Sequence, residues 1–180
     1  MTDRRYAAFA GLHKLAEGPL AEVALAVQAA AAAGSDAPLL VFEDATGRVV
    51  DLDLRGTPEQ LRARLGTPRG KGRPKLGVTA REVTLLPRHW DWLAAQPGGA
   101  SVTLRKLVEQ ARRDGAQQRR AAQEAAYRFL SAMAGDLPAF EEASRALFAD
   151  DRVALAARMA GWPGDVAAHA LQLLDAQPEL

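Results

Sequence analysis

The chain has 180 residues and no cysteine, which excludes disulfides, thiolate chemistry and cysteine-based zinc sites. Isoleucine and asparagine are also missing, and 4 lysines stand against 19 arginines, a bias we read as genomic rather than functional. No apolar run reaches the ~18 residues of a membrane span. Met1-Thr2-Asp3-Arg4-Arg5 is not followed by a secretory apolar core. The expectation is a soluble, cytoplasmic protein without a membrane segment. Apolar bulk is also scarcer than the 48% hydrophobic content suggests, because 39 of those residues are alanine. Alanine buries little area, so the core must come from 24 leucines, 11 valines and the ten aromatics. A chain of this length supports one domain or two small ones.

The formal net charge is only +1, yet its distribution is uneven. Residues 1–61 hold 5 basic and 9 acidic side chains, residues 62–128 hold 15 and 5, and residues 129–180 hold 3 and 8. A basic centre between acidic flanks suits a polyanionic partner, since Lys and Arg that neutralise phosphates release counterions and gain affinity independent of sequence. The competing expectation is a solvated helical surface paired with its acidic neighbours.

The pattern predicts an α+β, mainly helical protein in four parts. Residues 1–65 read as a small α+β module. It has a short strand at Tyr6–Phe9, a helix opened by Gly18-Pro19 and running to about Ala33, and a hairpin of Leu39-Leu40-Val41-Phe42 with the alternating Val50-Asp51-Leu52-Asp53-Leu54. Thr57-Pro58-Glu59 starts a further helix through Leu65, with Thr57 as N-cap and Pro58 in the first turn. Residues 66–78, with Arg69, Lys71, Arg73 and Lys75 at every second position, are a basic Gly/Pro arm. Residues 79–115 read as strand, helix and helix: Thr79–Leu86, Pro87 to about Gln96, and a helix N-capped by Ser101 with Leu104, Leu107, Val108 and Ala111 as an apolar stripe. Residues 116–180 read as a helical bundle with acidic outer faces, suited to oligomerisation or a partner.

Within the arm, Lys71-Gly72-Arg73-Pro74 resembles the AT-hook, whose Arg-Gly-Arg-Pro core lies along the minor groove of A·T-rich DNA. Lys71 replaces the family's first arginine, and a point charge inserts less well than a flat guanidinium. Downstream, Arg81-Glu82-Val83-Thr84-Leu85-Leu86-Pro87 with its two helices resembles the ribbon-helix-helix fold of the methionine and Arc repressors. That resemblance implies a homodimer whose paired strands enter the major groove, with the second helix holding phosphate. Either Arg81, Val83 and Leu85 or Glu82, Thr84 and Leu86 would face the DNA. The first set is apolar after Arg81, and in the second Glu82 repels phosphate. Arg81 and Thr84 are therefore the best ribbon contacts, while Ser101, Arg105 and Lys106 would hold phosphate. Arg88, Arg112, Arg113, Arg119, Arg120 and Arg128 would extend the positive surface. Rows seven residues apart, such as Arg105, Arg112 and Arg119, would share a face if one helix ran through Gly115.

Trp90 and Trp92 flank Asp91, which predicts one core tryptophan and one exposed. Signs of catalysis are thin. No phosphate-binding loop, dinucleotide fingerprint or nucleophile elbow is present, and His13, His89 and His169 are isolated. No cofactor is expected. Glu43, Asp44, Asp51 and Asp53 could gather across the hairpin to bind Mg²⁺, although a half-buried strand with a solvent face explains their alternation as well.

Taken whole, the chain resembles a bacterial family known as domain of unknown function 2239. The residues that carry the resemblance are Val41-Phe42-Glu43-Asp44, Thr46-Gly47, Asp51-Leu52-Asp53-Leu54-Arg55-Gly56, Gly72-Arg73-Pro74-Lys75-Leu76-Gly77-Val78, Arg81 through Trp90, Ala125-Ala126-Tyr127-Arg128-Phe129, and Met133 through Pro138. The resemblance implies a bacterial, non-secreted protein and brings no activity with it. The expected function is DNA binding, as a transcriptional regulator. The alternative is a protein-interaction or oligomerisation module whose basic centre docks on acidic partners, with an Mg²⁺-dependent enzyme as a third possibility.

Overall fold

The computed structural model describes residues 4–66, 81–112 and 114–175, and the chain divides into two compact units, residues 1–66 with 118–180 and residues 67–117. The first unit opens with a four-stranded antiparallel sheet in the order β2-β1-β3-β4, made of β1 (Tyr6–Ala10), β2 (His13–Gly18), β3 (Leu39–Glu43) and β4 (Arg48–Val49). Side chains of a strand alternate between faces, and this sheet uses both. Tyr6, Ala8 and Val41 turn to one side, where they pack with Val23 and Val27 of helix α1 (Leu20–Ala32). Ala7, Phe9 and Phe42 turn to the other, into the main core.

That core is closed by four helices: α5 (Gly115–Ala134), α6 (Phe140–Phe148), α7 (Arg152–Arg158) and α8 (Gly164–Asp175). Phe129, Leu130 and Met133 of α5, Leu147 of α6, Leu155 of α7, and Val166 and Leu173 of α8 are buried there, together with Met159 and Trp162. The rings of Phe9, Phe42 and Phe129 meet with centroids 5.0 to 6.0 Å apart, and Phe42 stands edge-on to both of the others. Such pairs add about 1 kcal/mol each beyond area burial. Trp162 satisfies its indole N–H by donating to the Pro138 carbonyl at 2.8 Å.

Helix α2 (Pro58–Leu65) packs against α1 and has the expected Thr57 N-cap and Pro58 start. Gln60 completes a capping box: its backbone N–H donates to Thr57 Oγ1, and its Oε1 accepts from the Thr57 N–H at 2.9 Å. The second unit contains α3 (Pro87–Ala94) and α4 (Gly99–Arg112), joined by a turn in which Gly98 and Gly99 take φ of +88° and +69°.

The architecture is α+β and mainly helical, as the sequence predicts, with local differences that include the following. First, β2 escapes the sequence pattern because it is an edge strand of inverted polarity: Leu15 points outward while Lys14 and Ala16 are half-buried. Second, the partner of β3 is only Arg48–Val49. Residues 50–54 leave the ladder after Val50 N–H donates to the Val41 carbonyl at 2.8 Å, yet Val50, Leu52 and Leu54 still pack on the α1 side. Their alternation records a half-buried edge rather than a paired strand. Third, Ser101 is not an N-cap. The left-handed glycines let α4 begin at Gly99, so Ser101 sits inside its first turn.

Candidate nucleic-acid interface

Residues 67–80, which include Arg69, Lys71, Arg73 and Lys75, lie outside the described residues. Residues 81–86 carry no strand or helix, and Arg81 and Thr84 are exposed there. The strand expected over Thr79–Leu86 is not formed in its described part, residues 81–86. Arg88 is exposed in the first turn of α3, and Ser101, Arg105 and Lys106 are exposed on α4. Arg105 Nε donates to the Ser101 carbonyl at 3.1 Å, which holds its guanidinium back along the helix. Arg105, Lys106, Glu109 and Gln110 line a shallow open groove of about 390 Å³.

The hydrophobic residues of this segment set it apart. Among its described residues only Leu93 and Thr103 are buried. The stripe expected to be core is instead open: Leu107 is 43% and Val108 55% exposed. Trp90 and Trp92 are both exposed, at 40% and 52%, because Leu93 takes the inward position on α3. Val83 and Leu86 are exposed as well. Two short helices offer each other too little surface to cover these groups. The signal missed in the sequence is therefore not the stripe, which was visible, but the lack of a second element to receive it.

The predicted long basic rows do not form on one helix. Helix α4 stops at Arg112, and Asp114 starts α5 by accepting from the Ala116 N–H at 2.9 Å. Arg119 and Arg120 are exposed on α5. Arg128 is committed elsewhere, donating from Nη1 to the Thr46 carbonyl at 3.1 Å and from Nη2 to Glu124 at 2.8 Å.

The four carboxylates considered for Mg²⁺ do not converge. Glu43 accepts from Arg4 and Thr46, Asp53 pairs with Arg55 at 2.8 Å, and Asp44 turns inward toward His169. Among the described residues no group of three or more His, Asp or Glu side chains is placed to hold a metal ion.

Residues 5–174 match the family described as an uncharacterized protein conserved in bacteria, domain of unknown function 2239. The chain belongs to this family. No curated protein and no solved structure matches it. Among the described residues of this family member, no helix is long and apolar enough to cross a membrane.

Proposed function

We propose that this family member is a cytoplasmic DNA-binding protein, a transcriptional regulator that acts as a homodimer through residues 79–115 and the basic arm before them. The supporting observation is the combination of exposures on α3 and α4. A segment with two buried side chains leaves Trp90, Trp92, Leu107 and Val108 open while presenting Arg88, Arg105 and Lys106 beside them. Exposed apolar side chains at this density mark an association face, and a second copy that covers it doubles the local positive charge. In this reading Arg69, Lys71, Arg73 and Lys75 follow the minor groove, Arg81 and Thr84 meet base edges, and Ser101, Arg105 and Lys106 contact phosphate.

Titration of labelled A·T-rich and G·C-rich duplexes over a range of salt tests this reading. DNA binding gives a log–log salt slope of about −0.9 for each phosphate neutralised. No binding at low salt, or a slope near zero, overturns it. The same exposed face also supports a second reading, in which the basic centre docks on acidic helices of another copy. Salt-sensitive self-association without nucleic-acid binding, followed by light scattering, would decide for that alternative.

A further inference from the structure

The main core holds a polar pair that no hydrogen bond accounts for. His169 on α8 has no solvent exposure, and its ring lies 4.7 Å from Phe129 and 5.5 Å from Phe9 between centroids. Its Nε2 stands 3.7 Å from Asp44 Oδ1, beyond hydrogen-bond reach. By hydrogen-bond geometry neither ring nitrogen of His169 nor Oδ1 of Asp44 is paired, although the Gln172 side chain lies close enough to favour the protonated imidazole. Buried polar atoms are normally paired, because an unpaired one forfeits its hydration without return.

The two residues join parts of the fold that matter for its assembly. Asp165, His169 and Gln172 share the face of α8 turned to β2. The Lys14 backbone N–H donates to Asp165 at 2.9 Å, Lys14 Nζ donates to Gln172 Oε1 at 3.2 Å, and Gln172 Nε2 donates to Glu17 at 3.3 Å. Asp44 opens the turn between β3 and β4, and its own N–H donates to the Arg5 carbonyl at 3.0 Å. The far side of that turn seats α5 through Gly47 and through the bond from Arg128 to the Thr46 carbonyl.

We propose that Asp44 and His169 form a proton-operated clasp between the β3–β4 turn and α8. One proton taken up by the pair places a hydrogen between Oδ1 and Nε2 and draws them into a hydrogen bond; after its loss His169 carries its one N–H on Nδ1, and the Nε2 lone pair facing the Asp44 carboxylate leaves the contact open. Burial pushes the Asp44 carboxyl up to about 6, and burial with the nearby Lys14 cation pushes His169 down to about 4, so between those values the pair holds one proton whichever atom carries it. The charged groups around it are Arg5 ahead of β1, Lys14 and Glu17 on β2, Glu43 on β3, Arg128 on α5 and Asp165 on α8. Arg5 and Lys14 oppose protonation of Asp44 and Glu17 favours it. The bond from Lys14 holds Glu17 below the usual carboxylate range, so its charge stays fixed while the clasp operates. His13, 3.8 Å from Asp165 on the exposed rim, is the other imidazole of this seam.

Nitrogen-15 NMR of the full chain from about pH 5 to about pH 8 tests the clasp. The His169 ring nitrogens and the amides of Thr46 and Gly47 should shift together with one midpoint close to pH 6. That midpoint should vanish in Asp44→Asn, which removes the titrating carboxyl, and persist in His13→Gln. Flat Thr46 and Gly47 signals in the unsubstituted protein overturn the proposal, as does a midpoint that survives in Asp44→Asn. Should Asp44→Asn fail to fold, His13→Gln still decides: loss of the midpoint there assigns it to the rim and ends the idea.

Discussion

Gly47 packs against the backbone of Ala125, so closely that a Cβ added to it would lie 1.9 Å from the Ala125 carbonyl oxygen. The glycine also holds a φ of +64°, where side chains are disfavoured. The β3–β4 turn is thereby a seat for α5 and not only a connection between strands.

Gly47→Ala should consequently cost about 3 kcal/mol or more, or abolish folding, through steric displacement of α5 added to backbone strain. Gly34→Ala is the control. Gly34 has a φ of +77° but no atom within 4 Å of the position a Cβ would take. It should lose only about 1 kcal/mol. Urea unfolding of the two variants separates clash from strain, and equal losses would remove the role assigned to the turn.

The Asp44–His169 pair predicts two opposite pH profiles. His169 is depressed from 6.5 to about 4, so its stability contribution is present above 6.5 and is lost as pH falls toward 4. Asp44 is raised from 3.8 to about 6, so its contribution is present below 3.8 and is lost as pH rises through 6. In the intact pair these slopes largely cancel. Asp44→Asn should expose the first slope and lose stability on acidification, whereas His169→Gln should expose the second and gain stability on acidification. Each change should be on the order of 2 kcal/mol across its window. Denaturant unfolding at several pH values measures both, and parallel profiles for the two variants would contradict the assignment.

For the apolar face of α3 and α4, the double substitution Leu107→Glu and Val108→Glu separates an interface from a solvated surface. Exposed positions tolerate such changes within about 0.5 kcal/mol. If a second copy covers them, sedimentation velocity should show a dimer in the unsubstituted protein, with dissociation at least tenfold weaker in the double variant. A monomer in both cases contradicts the homodimer.

On DNA, Arg73→Ala should remove any preference for A·T-rich over G·C-rich duplexes, since the proposed hook reading makes this arginine the groove-inserting residue. Arg105→Ala with Lys106→Ala should weaken binding to both duplexes alike and reduce the salt slope by about 2. Equal weakening of both duplexes by Arg73→Ala would argue against the hook.

Sequence periodicity alone determined much of this protein. The Thr57-Pro58 start of α2, the extent of α1, the strand at Tyr6 and the stripe of Phe129, Leu130 and Met133 follow from local chemistry: a hydroxyl cap, a fixed proline φ, and apolar residues repeating at the spacing of a helix turn. The basic centre at residues 62–128 was equally legible, because charge can be counted along a chain.

Only the tertiary structure decided which apolar and ionisable groups are enclosed. Leu107 and Leu130 look alike in sequence, each in a helical stripe, yet Leu107 is open and Leu130 is 1% exposed, because α5 joins the core shared by the sheet and three helices while α4 packs against the short helix α3. Asp44 belongs to a run of carboxylates that reads as solvent-facing, and His169 lies far from it along the chain. Their meeting inside the core is set by how β3 and α8 pack, a relation between distant segments that no local pattern records.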